Sequence, residues 1–231
     1  MLDDSSNTSI DSVRWWVALS LSVSAYLLSI LAIGLVASLN FFTEETTLSN
    51  SLLYALSSVV LFLAVGFLLY IRKIKLKDFF GKFALKQVLF TPIYYVCYVA
   101  LSRITQALVS LLPGVDVNQK QDFGLESSNP LQLLIVFVAL VVLPSLSEEV
   151  LFRGVLYRSF RRPFGKVLGA IIVSLLFGVA HGQWNVAADT FVLSLVLIYL
   201  LEKSNSLWPA IALHFFKNTI AFLLVFVFKV A

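Results

Sequence analysis

The chain has 231 residues, of which 59% are hydrophobic and 13% are charged, whereas about 25% of the residues in a soluble domain are charged. Together with a mean hydropathy of +0.92, this composition excludes an ordinary soluble domain and predicts an integral membrane protein. The net charge of +4 does not indicate a nucleic-acid partner, because the basic residues lie beside apolar runs and form no basic domain.

Seven apolar runs are long enough to cross a lipid bilayer, which takes about 20 helical residues. We therefore expect an all-α, multi-pass helical bundle, with residues 1–231 forming a single integral membrane domain. The first run is preceded by no positively charged region and no small-residue cleavage site, so we expect it to be retained. Residues 148–162 either continue the fourth helix or form an eighth helix along the membrane interface. The runs cover residues 15–38, 51–71, 87–112, 131–147, 167–183, 186–201 and 207–229.

The basic residues predict how the chain is oriented. Residues 72–86 contain six of the 17 lysines and arginines, and the predicted loop at residues 153–166 contains five. Loops rich in Lys and Arg stay cytoplasmic, and alternating seven spans puts both segments on that side of the plasma membrane. The N-terminus is then cytoplasmic and the C-terminus external. The acidic residues that fall on the external side are Glu44, Glu45, Asp116, Asp122 and Glu126.

Two adjacent carboxylates, Glu148 and Glu149, follow the fourth apolar run. An ionisable side chain in a membrane helix costs at least about 2.5 to 3.5 kcal/mol, so it marks a functional site or a buried partner. Glu149 and Arg153 are four residues apart and can pair on one helix face. Glu148 lies about 100° round the helix, where it could face a cavity and act as a general base. The alternative is structural, because Pro144 can end one helix and Ser145 to Glu148 match the S-x-x-E capping box of the next.

The only two histidines of the chain, His181 and His214, both lie in apolar helices. His181 shares a helix face with Phe177, and Gly178 and Gly182 allow a neighbouring helix to approach closely. A lone membrane histidine more often serves as a hydrogen-bond partner between helices. Two histidines together with a carboxylate pair favour a site.

His214 and Asn218 are four residues apart and can donate hydrogen bonds to one point, as an oxyanion requires. With Glu148 as a general base and His181 as a hydrogen-bond partner of the attacking water, these residues could catalyse amide hydrolysis. The same Glu and His residues could instead hold Zn²⁺, although no H-E-x-x-H spacing is present. The single cysteine, Cys97, offers neither a disulfide nor a cysteine metal cluster, and we expect it to be buried in packing.

Three motifs resemble, in order and spacing, the signatures of the CAAX-protease and bacteriocin-processing family, also called ABI or Rce1-like. They are E-E-x-x-x-R at Glu148 to Arg153, F-x-x-x-H at Phe177 to His181 and H-x-x-x-N at His214 to Asn218. The flanking residues 152–157 and 206–210 also look like the family. The resemblance covers about residues 140–220 of the chain.

The resemblance implies an intramembrane glutamate protease that hydrolyses a peptide bond near the cytoplasmic face without a cofactor. Its substrate would be a peptide or a prenylated protein. The family also implies an alternative, a non-enzymatic immunity or regulatory protein that binds a bacteriocin or a membrane partner. A proton-coupled transporter fits less well, because no broken, inverted-repeat helices are visible. The catalytic set that the resemblance implies is Glu148, His181, His214 and Asn218, and the supporting set is Glu149, Arg153 and Phe177.

Three further ionisable residues lie in the apolar runs. Lys217 and Asp189 fall near predicted external ends, where we expect them to extend toward the headgroups. Arg103 gives the third helix a polar stripe with Gln106, and it could line the substrate cavity or pair with a carboxylate. The 20 phenylalanines are expected to form lipid-facing surface.

Overall fold

The computed structural model describes residues 10–38, 47–113 and 129–229, and every regular element within them is helical. The prediction of an all-α, multi-pass bundle is confirmed. A short 3₁₀ turn at Ile10–Ser12 precedes the first helix. The helices are α1 Trp15–Ser38, α2 Thr47–Ile71, α3 Leu76–Phe80, α4 Leu85–Leu89, α5 Thr91–Val109, α6 Pro130–Phe137, α7 Leu143–Glu148, α8 Arg158–Val179, α9 Trp184–Ser204 and α10 Trp208–Phe222, with π-helical segments at Val138–Val142, Glu149–Tyr157 and Leu223–Val227.

Five helical stretches are long and apolar enough to cross a membrane. One of them, Pro130–Val179, has 50 residues and contains a break at Gly165, whose φ of 75° is outside the helical region. It therefore covers two of the predicted spans. The predicted span at residues 186–201 corresponds to α9, which is not among the five. The five stretches are Trp15–Val36, Ser49–Ile71, Leu85–Val109, Pro130–Val179 and Trp208–Val227.

The two basic segments meet at one end of the bundle, which we call the basic end. There Arg158 donates a hydrogen bond to the carbonyl oxygen of Phe79 at 2.6 Å. Arg161 forms ion pairs with Asp11 before α1 and with Glu202 near the end of α9, at 2.9 and 2.8 Å. These contacts confirm that both segments lie on one side. The five acidic residues predicted for the opposite side lie outside the described residues.

The fourth span does not end at Pro144. Its backbone stays helical from Pro130 through Tyr157, and no side chain caps α7, which begins at Leu143. The capping-box interpretation of Ser145 to Glu148 is therefore wrong. Pro144 is tolerated because it lies in the first turn of α7, where a proline is least disruptive. The π-helical segment before it already departs from regular α-helical hydrogen bonding, so the missing N–H of Pro144 breaks no regular pattern. Arg153 is consequently a helical residue and not part of a loop.

Close packing of α8 on α9 fixes the position of the first histidine. A Cβ atom on Gly178 would lie 2.7 Å from the carbonyl oxygen of Ala187, so only glycine permits this approach. Gly182 has a different role, because it has open space around it and a φ of +73° that suits the turn into α9. The prediction of close approach is thus confirmed at Gly178 and wrong at Gly182. Cys97 is exposed, so the prediction that it is buried is wrong as well.

Candidate active site

Glu149 is the centre of a buried polar network. One of its carboxylate oxygens, Oε1, accepts a hydrogen bond from Arg153 Nη1 at 2.8 Å and lies 2.8 Å from His214 Nδ1. The residue is fully buried. The predicted pairing of Glu149 with Arg153 is present, and the network joins the π-helical segment after α7 to α10.

Arg153 is fully buried too, and its guanidinium carbon lies 4.3 Å from the ring centre of Phe177 on α8. A buried guanidinium is costly unless a carboxylate and an aromatic face compensate it. Arg153 has both. The Phe177 ring also packs edge-on against His181, with ring centres 4.9 Å apart, so Phe177 links the arginine to the first histidine.

The hydrogen bond between His214 and Glu149 restricts how His214 can act. A carboxylate oxygen accepts hydrogen bonds, so His214 Nδ1 carries the proton of this contact and donates the hydrogen bond to Glu149 Oε1. Nε2 can donate a second hydrogen bond only if the ring is an imidazolium.

Glu148 lies beside this network but forms no hydrogen bond with it through its Oε2 atom. Its Oε2 atom is 3.9 Å from His214 Nε2, too far for a hydrogen bond. That oxygen has no hydrogen-bond partner among the described residues. The side chain keeps 19% of its surface exposed, against 0% for Glu149. Glu149 Oε2 also has no hydrogen-bond partner among the described residues, so the two carboxylates differ in Oε1 of Glu149, which Arg153 and His214 engage, and in exposure, which only Glu148 retains.

His181 lies in the turn that follows α8 and is partly buried. Its Nδ1 atom is 2.8 Å from the carbonyl oxygen of Phe177. A carbonyl only accepts hydrogen bonds, so Nδ1 carries the proton and Nε2 of the neutral ring has a free lone pair. His181 is therefore arranged as an acceptor at Nε2.

Asn218 approaches the site one helical turn beyond His214. Its Nδ2 atom donates a long hydrogen bond of 3.4 Å to Ser145 Oγ on α7. Ser145 is fully buried, and its sequence position suggested only a helix cap. Its spacing of four residues before Glu149 could have indicated a place in the site, because that spacing puts both side chains on one helix face.

Comparisons with known proteins address this region. Residues 130–220 match the family described as Type II CAAX prenyl endopeptidase Rce1-like. Over that segment the chain is similar to this family. The chain is also 31% identical over 96 residues to an uncharacterized 24.3 kDa protein of Escherichia coli, over 39% of this chain and 44% of that protein. The chain thus spans less than half the length of this relative. No solved structure matches it significantly.

All six polar residues of the predicted site fall within the matched residues 130–220. The structure brings Glu148, Glu149, Arg153 and His214 together directly. Asn218 bonds to Ser145, which precedes Glu149 by four residues, and His181 packs on Phe177, which contacts Arg153. Within the described residues, no group of three His, Cys, Asp or Glu side chains is arranged to hold one metal ion. Metal independence stays a prediction.

A second polar cluster connects α9 and α10 to α5. Asp189 on α9 accepts hydrogen bonds from Tyr98 at 2.7 Å and from Ser102. Lys217 on α10 is 4.0 Å from the same carboxylate. The prediction that Asp189 and Lys217 extend toward headgroups is therefore wrong, because they face each other inside the bundle. Arg103 is exposed and forms no ion pair with a described carboxylate.

Proposed function

We propose that the chain is an intramembrane endopeptidase of the CAAX-processing and bacteriocin-processing type, in which Glu148 activates the attacking water. The observation that supports this most directly is the difference between the two adjacent carboxylates. Glu149 is fully buried and its Oε1 atom is engaged by Arg153 and His214, whereas the side chain of Glu148 is 19% exposed and its Oε2 atom has no hydrogen-bond partner among the described residues. A general base needs this combination of a free acceptor and a fixed neighbourhood.

In the proposed mechanism, a water molecule donates one hydrogen bond to Glu148 and the other to His181 Nε2. Glu148 takes a proton as the water oxygen attacks the carbonyl carbon of the scissile peptide bond. His214, as an imidazolium, and Asn218 donate hydrogen bonds to the oxyanion of the tetrahedral intermediate. Glu148 then returns the proton to the leaving amine as the C–N bond breaks. No covalent intermediate forms.

The proposed substrate is a peptide segment or a prenylated protein that reaches the site from the cytoplasmic face. Two features support this orientation. The basic residues gather at one end of the bundle, and basic loops stay cytoplasmic. Two residues of the site are also close in sequence to this end, since Glu148 precedes Arg158 by ten residues and His214 follows Trp208 at the start of α10 by six residues.

The test is cleavage of prenylated peptides and bacteriocin-leader peptides by the purified chain, with products identified by mass spectrometry. We expect cleavage by the unmodified protein and a loss of at least about a hundredfold in rate for Glu148→Gln and for His181→Ala, in line with loss of an acid–base group. Glu202→Gln is the matched control, because it removes a carboxylate at the basic end. A zinc chelator is expected to leave the rate unchanged.

Two results would contradict the proposal. Equal rates for Glu148→Gln and the unmodified protein would remove Glu148 from the mechanism. A protein that binds such peptides without cleaving any of them, and whose biological effect survives Glu148→Gln, would be a binding protein.

A further inference from the structure

A cavity of about 600 Å³ opens at the basic end, outside the candidate active site. Its wall includes four cationic side chains and two carboxylates. None of the six residues of the candidate active site lines it. The charged side chains that line the cavity are Lys77, Lys82, Arg158, Arg161, Asp11 and Asp78.

Only part of this positive charge is balanced. Arg161 is paired with Asp11 and Glu202. Arg158, by contrast, is 5% exposed and forms no ion pair with a described carboxylate. Its hydrogen bond goes to the carbonyl oxygen of Phe79 at 2.6 Å, which leaves further guanidinium N–H donors. Asp11 and Glu202 act on Arg158 electrostatically without forming an ion pair with it, and a nearly buried guanidinium that lines a cavity in this way can take an anionic ligand.

The two lysines are held over the cavity by the docking of α3. Phe79 is fully buried, and its ring lies where a side chain on Gly154 would be, 2.3 Å from the position of a Cβ atom. The carbonyl oxygen of Phe80 accepts a hydrogen bond from the Leu207 backbone at 2.9 Å. The segment that carries Lys77 and Lys82 is thus fixed to the bundle, and its charges are placed before a ligand arrives.

The surroundings favour a lipid as the source of the anion. Leu76, Phe83 and Leu85, which flank the lysines, are 65%, 55% and 59% exposed. Apolar side chains interleaved with lysines are typical of a segment that lies in the interface of a bilayer. Basic pockets between membrane helices on the cytoplasmic side bind the headgroups of anionic lipids.

We propose that this cavity binds a phosphate group, with Arg158 as its anchor and Lys77 and Lys82 as further donors, and that the phosphate belongs to an anionic phospholipid headgroup. A guanidinium can hold two phosphate oxygens at once. Lysines add charge without fixing geometry. The proposal does not depend on peptidase activity.

The test measures the thermal unfolding temperature of the full chain in a neutral detergent. Dihexanoyl phosphatidylglycerol, dihexanoyl phosphatidylcholine and inorganic phosphate are titrated separately at constant ionic strength. We expect a saturable rise with phosphatidylglycerol and none with phosphatidylcholine. A Lys77→Gln/Lys82→Gln variant should need about tenfold more phosphatidylglycerol for the same rise. Lys73→Gln/Lys75→Gln is the matched control, because these lysines do not line the cavity, and it should respond like the unmodified protein.

Arg158→Lys gives a second test, since it keeps the charge but removes the two-pronged donor, and it should also weaken the response. A rise with inorganic phosphate equal to that with phosphatidylglycerol, abolished in the Lys77→Gln/Lys82→Gln variant, would support the phosphate site and overturn the lipid as its source. Equal responses to the two lipids, or equal losses in both double variants, would overturn the site.

Discussion

Individual residues of the site divide into those that hold the structure and those left free for chemistry. Glu149 and Arg153 have no exposed surface and depend on each other. Removing one partner of such a pair leaves an uncompensated buried charge, whereas replacing both partners leaves no buried charge. The two residues are therefore expected to influence stability more than the chemical step.

Glu149→Gln and Arg153→Met should each destabilise the protein by about 3 to 5 kcal/mol. The double variant should be less destabilised than the sum of the two single variants, because no unpaired charge remains. Thermal or denaturant unfolding of the four proteins in the same detergent measures this coupling. If the two single substitutions destabilise the protein additively in the double variant, Glu149 and Arg153 do not stabilise it through their interaction.

For individual residues, the sequence predicts interaction partners when the two residues are close along the chain or belong to a recognised motif. The pairing of Glu149 with Arg153 follows from a spacing of four residues. The pairing of Asp189 with Lys217 and Tyr98 could not be found in this way, because the three residues lie on three helices that only tertiary packing brings together. An ionisable residue near a helix end has two physical solutions, the headgroups or a buried partner, and its position alone does not choose between them.

Individual helices owe their positions to small residues at their contacts. The prediction that glycine permits close approach held at Gly178, where the carbonyl of Ala187 occupies the space of a side chain. The π-helical stretch from Glu149 to Tyr157 was not predicted. It depends on packing against other helices, and π-helical turns are frequent at functional sites.

Gly178→Ala should destabilise the contact between α8 and α9 and displace His181, because its Cβ atom would meet a backbone carbonyl at 2.7 Å. We expect a loss of about 1 to 3 kcal/mol and reduced peptidase activity. Gly66→Ala is the control, since a Cβ atom there meets nothing within 4 Å and alanine favours the helix. Equal stability of the two variants, measured by thermal unfolding, would contradict this account of the contact.

The molecule as a whole is tied together at the basic end by Glu202. Its carboxylate pairs with Arg161 at 2.8 Å and with Lys166 at 2.6 Å, and Arg161 continues to Asp11. Burial alone would raise the pKa of the Glu202 carboxyl, but hydrogen bonds from Lys166 and Arg161 outweigh it and hold that pKa below its usual value. The network joins the segment before α1 to α8 and α9.

Stability should depend on pH through this carboxyl. A lowered folded-state pKa contributes stability that is fully present above the pKa of the unfolded chain and is lost as pH falls through the folded-state value. Glu202→Gln should therefore lower the stability at neutral pH by about 1 kcal/mol or less, since the network is partly exposed. The difference from the unmodified protein should shrink on acidification. Unfolding temperatures of both proteins at several pH values check this, and a difference that does not change with pH would contradict it.

For the whole molecule, the apolar runs predicted a multi-pass helical bundle, and the positions of the basic residues predicted that both basic segments lie at one end of it. The five strongly apolar stretches contain six of the seven predicted spans, because Pro130–Val179 covers two of them, and the remaining predicted span is the helix α9. The joining of residues 130–179 into one helical stretch was left open by the sequence, since Pro144 indicates a helix end unless its neighbours absorb the missing hydrogen bond.

The central claim is that adjacent carboxylates have separate tasks, with Glu148 as the base and Glu149 as its support. The measurement that tests it most directly pairs the cleavage rate with the unfolding temperature for Glu148→Gln and Glu149→Gln. We predict that Glu148→Gln keeps the unfolding temperature of the unmodified protein while its cleavage rate falls at least about a hundredfold. Glu149→Gln should lower the unfolding temperature itself. A Glu148→Gln protein that cleaves at the normal rate would contradict the claim.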